Sequence, residues 1–286
     1  MCIVFKKLSE CQITDIITAW NRGFEGYFVK LEMSAELFFA RLVNEGLSMN
    51  LSIVAFDGDQ PVAIVLNGVR LIDGKKTAWN GGTGVAAEYR GKGVSKLLME
   101  ETLRIYAEEG VEVATLEAIK ENERAIRLYQ RYGYEIVDSL VHLKGSEEFE
   151  SVLAASIWVK SIRPEQLATL SFYKENVPWQ CQWQSVRNGE AQIFYGTGND
   201  PLGYCLFKRI WNEHGKVEKV VIYQLELFSE VNKDLLKIIF ASICGGAEKT
   251  VNFMTVNASI SSPIIAYLMS HGFNKMTEQV QMVKFL

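Results

Sequence analysis

The sequence has no apolar run long enough to cross a bilayer: its longest apolar stretches, such as Val62 to Leu66, are strand-sized, whereas a spanning helix needs about 20 residues. No secretory leader is expected from this N-terminus, because Met1-Cys2-Ile3-Val4-Phe5 runs straight into Lys6 and Lys7. No CxxC spacing occurs among the five cysteines (Cys2, Cys11, Cys181, Cys205, Cys244), and the three histidines (His142, His214, His271) are equally scattered. That distribution predicts reduced thiols in a cytoplasmic protein, and neither disulfides nor a metal site. Positive charge is not in excess either. The formal net charge is −4 with both signs mixed along the chain, which argues against a nucleic-acid-binding face. Neither a membrane nor a nucleic acid is therefore expected as a partner.

What is present is the balance of a globular protein, 48% hydrophobic and 22% charged, in 286 residues, more than one core comfortably takes. The first half reads as a strand at Cys2 to Leu8, helices at about 10–22 and 34–46 (Ser34 as N-cap), and two hairpins turning at Asp57-Gly58-Asp59-Gln60 and Asp73-Gly74-Lys75-Lys76. A helix at about 94–109 closed by Gly110, a strand to Ile119, a helix at Glu121 to Tyr132 and a strand at Tyr134 to Leu143 follow. The order predicts a mixed α/β (α+β) fold whose early sheet is antiparallel. The polar stretch 144–151 suits a linker, giving domains at 1–145 and 146–286. Beyond it, strand patterns near 153–159, 181–187, 191–196, 203–211 and 216–228 lead into helix (231–244), strand (250–256), helix (261–271) and strand (274–284). The shared closing order suggests a tandem duplication.

The chemistry concentrates in Gly81-Gly82-Thr83-Gly84-Val85-Ala86-Ala87-Glu88-Tyr89-Arg90-Gly91-Lys92-Gly93-Val94-Ser95. A strand ends, glycines follow, and an amphipathic helix begins. Glycines let backbone N–H groups approach a phosphate, and the helix adds its positive end. Arg90 and Lys92 add positive charge. The physics gives an anion cradle. A P-loop is excluded because Ala86 stands where its first glycine belongs and Gly93 follows Lys92; the dinucleotide fingerprint fails because no third glycine follows Gly82-Thr83-Gly84.

Arg90-Gly91-Lys92-Gly93-Val94-Ser95 resembles the R/Q-x-x-G-x-G/A pyrophosphate loop of the GNAT acyltransferases, with Ser95 where Gly or Ala is usual. Asn122-Glu123-Arg124-Ala125-Ile126-Arg127-Leu128-Tyr129-Gln130-Arg131-Tyr132-Gly133-Tyr134 resembles that family's N-x-x-A-x-x-L-Y-x-x-x-G-F/Y signature. The resemblance spans about residues 1–144 and implies an N-acetyltransferase using acetyl-coenzyme A and an amine acceptor, a small molecule or a peptide N-terminus. It implies that Arg90, Gly91, Lys92, Gly93, Val94 and Ser95 hold the pyrophosphate, that Gly84 and Val85 pair with the pantetheine arm, and that a backbone N–H there polarises the thioester. A β-bulge at Gly81-Gly82 fits the same segment. Tyr129 is the candidate general acid, since a phenol near 10 can protonate a leaving thiolate near 8.5; core packing is its alternative role. Asn122 either caps its helix, touches the coenzyme, or does both. Glu117 on the preceding strand resembles the strand glutamate of family members that act on protein N-termini and is the candidate base, with a water relay as the alternative. The acceptor rim is expected in Trp20 to Phe28.

The second half reads as a degenerate repeat. Anchoring Gly272 on Gly133 places Leu268 at Tyr129, Tyr267 at Leu128 and Ser261 at Asn122, and Leu227 to Asp234 lacks both glycine and arginine. A non-catalytic acyl-coenzyme A sensor or partner-binding module is the competing reading of the whole chain.

Overall fold

The computed structural model describes residues 1–147, 157–228, 230–231, 233–245 and 250–286. They form two compact units, Met1–Val137 together with Val280–Leu286, and Asp138–Gln279. Among the described residues no helix is long and apolar enough to cross a membrane.

The first unit runs β1 (Ile3–Lys7), α1 (Ile13–Gly23), α2 (Ala35–Glu45), β2 (Ile53–Asp57), β3 (Gln60–Ile72), β4 (Lys75–Val85), α3 (Val94–Glu108), β5 (Val113–Ile119) and α4 (Glu123–Arg131). Local chemistry sets these boundaries. The Ser34 hydroxyl accepts from the Leu37 amide at 3.2 Å, and Gly110 ends α3 with φ 64°. α1 buries Ile16, Ala19, Trp20 and Gly23 along one face. Strands β1 to β4 are antiparallel in sequential order, and β5 joins β4 in parallel. The chain's last residues, Val280–Leu286, complete this unit beyond β5: Met282 is buried among Met99, Tyr106 and Leu116, and the Leu286 amide donates to the Glu112 carbonyl at 2.9 Å.

The second unit continues from Asp138 within β6 (Glu135–Glu147) through β7 (Trp158–Ile162), β8 (Glu190–Tyr195), β9 (Pro201–Trp211), β10 (Val217–Leu227), α5 (Lys233–Ile243), β11 (Val251–Thr255), β12 (Ala258–Ser259), α6 (Pro263–Ser270) and the first part of β13 (Asn274–Phe285). Its strand order is β6-β11-β10-β9-β8-β7, antiparallel except for the parallel β10–β11 pair. Its core packs α5 and α6 against Phe194, Phe207, Phe253 and Phe273.

Three expectations change. The division falls at Val137/Asp138 instead of at 145, because residues 144–147 pair with β11 as strand; 148–151 of the expected linker and 153–156 of the expected strand lie outside the described residues. The alternating stretch 181–187 is no strand. It turns twice, at Trp179–Cys181 and Trp183–Ser185, with the Ser185 hydroxyl donating to the Trp179 carbonyl at 2.8 Å. The third is the return of Val280–Leu286 to the first unit.

Candidate active site

β4 carries the site because it cannot stay paired along its whole length. Its parallel ladder to β5 runs from Thr77↔Val113 to Asn80↔Leu116. At that point the register against β3 slips, from Asn67↔Asn80 to Leu66↔Gly82, leaving Gly81 as a bulge. The expected bulge at Gly81-Gly82 is therefore present. Side chains satisfy its loose backbone groups: Arg41 Nη2 donates to the Gly81 carbonyl at 2.5 Å, and the Gly82 amide donates to Asn80 Oδ1 at 3.1 Å.

Past the bulge a cavity of about 470 Å³ opens, lined by the end of α1 and its following loop, by Thr83 and Val85, by the glycine loop and by one face of α4. A short turn at Ala87–Tyr89 leads into the loop, where Gly91 (φ 79°) and Gly93 (φ 88°) occupy the left-handed region and Gly93 opens α3. Among the described residues the amides of Gly91, Gly93, Val94 and Ser95 donate to no backbone carbonyl, and the first turn of α3 holds no acid. Unpaired amides at a helix start, without a competing carboxylate, favour an anion.

The cations are arranged differently from the sequence reading. Arg90 is spent on the fold: its Nε donates to the Val85 carbonyl at 2.9 Å and its Nη2 to those of Gly23 and Glu25 at 3.1 and 2.8 Å, tying the end of α1 to β4. Lys92 lies over the Tyr89 ring, 5.6 Å from its centroid, and does not line the cavity. Besides Arg90, the lining charges are Lys96, Arg124, Arg127 and Arg131. Arg127 pairs with Glu123 at 2.7 Å, while Arg124 forms no ion pair among the described residues and sits beside Gly91. Arg124 occupies a variable position of the α4 signature, so only its placement reveals it.

Of the residues singled out in the sequence, Val85, Arg90, Gly91, Gly93, Ser95, Asn122 and Tyr129 line the cavity. Gly84 and Val94 do not: Gly84 is covered by Phe24, and the Val94 side chain is buried with Leu98 in the core. Asn122 does cap α4, accepting from the Ala125 amide at 3.2 Å, and it also bonds the Tyr27 hydroxyl. Tyr129 is buried beside Thr83. Burial pushes its hydroxyl up to about 12, opposed by a hydrogen bond with Thr83, which in turn bonds Asn80. Of the expected acceptor rim, Gly23, Phe24, Gly26, Tyr27 and Phe28 line the cavity; the bond between Thr83 and Tyr129 had no signal in the sequence. Glu117 lies off the cavity lining, as the first β5 residue past the last ladder pair, and its Oε2 accepts from Trp79 Nε1 at 2.7 Å. Among the described residues no cluster of His, Cys, Asp and Glu is placed to hold a metal ion.

Residues 14–134 match the acetyltransferase (GNAT) family. No curated protein matches the sequence. Solved structures with the same fold include a GCN5-related N-acetyltransferase from Sphaerobacter thermophilus (14% identity, TM-score 0.64, 99% of this chain and 95% of that one). Another from Anabaena variabilis shares 16% identity with a TM-score of 0.62 over 99% of this chain and 73% of that one. A tandem GNAT protein from the clavulanic acid biosynthesis pathway shares 11% identity with a TM-score of 0.61, covering 99% and 98%. The bulged strand, the amide cradle and the α4 signature thus meet in one cavity within the stretch 14–134 that matches the acetyltransferase (GNAT) family.

Proposed function

We propose that the first unit transfers an acetyl group from acetyl-coenzyme A to an amine, of a small molecule or a peptide N-terminus, by direct attack. The observation that carries this reading is that one cavity is lined both by Gly91, Gly93 and Ser95, whose amides donate to no backbone carbonyl, and by Tyr129. The amides, with Arg124 and Lys96, hold the diphosphate; the Val85 region receives the pantetheine arm. The acceptor nitrogen attacks the thioester carbonyl, a C–N bond forms, the C–S bond breaks, and the departing sulfur takes the Tyr129 proton. With its hydroxyl pushed up to about 12, Tyr129 is protonated throughout neutral pH and is a weaker acid than a free phenol. The base that takes the proton of the amine is Glu117, oriented by Trp79 and lying off the cavity lining, or a water relay in its place.

The second unit, in the same reading, is a non-catalytic repeat. Supporting this, its β10 has a bulge at the same place as β4, one residue past the last pair with its parallel neighbour, and a segment of its own chain packs beside it.

A thiol-release assay across amines, amino acids, polyamines and peptides tests the reading. Turnover with at least one acceptor, slowed in Tyr129→Phe at unchanged coenzyme affinity and in Glu117→Gln, supports it. Coenzyme binding without turnover on any acceptor would favour the sensor instead, and an unaffected Glu117→Gln would assign the proton to a water relay.

A further inference from the structure

The glycines of β4 have a second partner besides the bulge. A Cβ at Gly82 would stand 2.9 Å from Trp20 Cη2 and 3.5 Å from Phe24 Cζ; one at Gly84 would stand 2.9 Å from Phe24 Cε2 and 3.1 Å from the Gly23 Cα. Both aromatic rings thus lie directly on the strand, in space that any side chain there would fill. They pack on each other with centroids 4.2 Å apart, and the Trp20 indole is pinned by a 2.7 Å bond to the Leu31 carbonyl. Trp20 is buried, while Phe24 is half-buried and reaches the cavity.

Phe24 also belongs to a second wall. A separate cavity of about 460 Å³ lies among residues 21–32, and Phe24, with Gly26 and Tyr27, lines both spaces. Phe24 thus borders room on two sides.

We propose that Phe24 sets the length of the acyl group the site accepts, closing the acyl end of the cavity to chains much longer than acetyl. This rests on the coenzyme reading of the previous section. A thioester lying along Thr83–Val85 directs its acyl carbons toward the ring seated on Gly82 and Gly84. A longer chain meets a ring held against Trp20 and against the strand beneath it. Truncating the ring is expected to open the space bordered by Phe24 on its other side to additional methylenes.

Titration calorimetry of the intact chain with free coenzyme A and its acetyl, butyryl and hexanoyl thioesters tests this without knowledge of the acceptor. Wild type should bind acetyl-coenzyme A about as tightly as coenzyme A, and the hexanoyl thioester about tenfold or more weakly, the cost of forcing methylenes into a filled space. Phe24→Ala should bring the hexanoyl thioester within about threefold of acetyl, and Phe24→Leu, which retains more of the fold's packing, should relax butyryl first. Equal binding of acetyl and hexanoyl thioesters by wild type would overturn the proposal. So would an unchanged ratio in a Phe24→Ala or Phe24→Leu chain that still binds acetyl-coenzyme A. Absence of binding by coenzyme A itself would remove the underlying coenzyme reading, a distinct failure that the free-coenzyme arm identifies.

Discussion

The two units meet the same structural problem and resolve it in opposite ways. In the first, the parallel ladder ends at Asn80↔Leu116 and the next residue of β4, Gly81, bulges; in the second, it ends at Ile222↔Thr255 and the next residue of β10, Tyr223, bulges. Their closing helices match as well. Tyr134 N bonds Tyr129 O and Phe273 N bonds Leu268 O, both at 3.1 Å, after glycines with φ 84° and 92°. After the first bulge comes a cavity. After the second comes protein: Gln224 Nε2 donates to the Cys181 carbonyl at 2.8 Å, Cys181 Sγ to the Val256 carbonyl at 3.1 Å, and Cys181 packs with Val221 and Val256. Leu268, at the position of Tyr129, is core. A bulge therefore makes a split in a sheet available but does not by itself make a site. What separates the two is whether glycines follow the bulge and whether a segment of chain fills the split.

The difference can be broken at several points. The largest effect is expected from deleting Val280–Leu286, which removes a strand and the buried Val280 and Met282 from the first unit's core. A loss of about 5 kcal/mol or more, against the 5–15 kcal/mol typical of a domain, should abolish its cooperative unfolding transition in calorimetry. Gly93→Val comes next. A β-branched residue at φ 88° disrupts the loop, and affinity for acetyl-coenzyme A should fall about 100-fold or more, measured by titration with circular dichroism as a folding control. Tyr129→Phe should lower kcat about 10- to 100-fold with little change in coenzyme affinity, read by thiol release. The same variant should alter alkaline stability. A phenol at about 12 in the folded chain and about 10 unfolded holds its proton better when folded, so its contribution is complete below pH 10 and is lost between 10 and 12; thermal melts of Tyr129→Phe should fall less steeply over that window. The smallest effect belongs to Lys92→Ala, under about threefold in affinity, because that exposed ammonium sits over Tyr89, off the cavity.

Much of this was legible because it is local. The cap at Ser34, the stop at Gly110, the left-handed Gly91 and Gly93 and the bulge at Gly81 each follow from chemistry within a few residues. What escaped depends on distant partners. Arg90 reads as a phosphate ligand until the carbonyls of Gly23 and Glu25, more than sixty residues away, arrive beside it. The 181–187 stretch alternates like a strand, yet its side chains close turns. The run of β4 glycines matched no phosphate fingerprint, and its use became visible only with Trp20 and Phe24 lying on it. No sequence pattern marks Val280–Leu286 as part of the first unit.

Titration of the intact chain with acetyl-coenzyme A tests the central claim most directly, since the cradle among the described residues belongs to the first unit. The account predicts a single site per chain, lost in Gly93→Val while both units remain folded. No heat, two sites, or binding that survives in a folded Gly93→Val chain would contradict it.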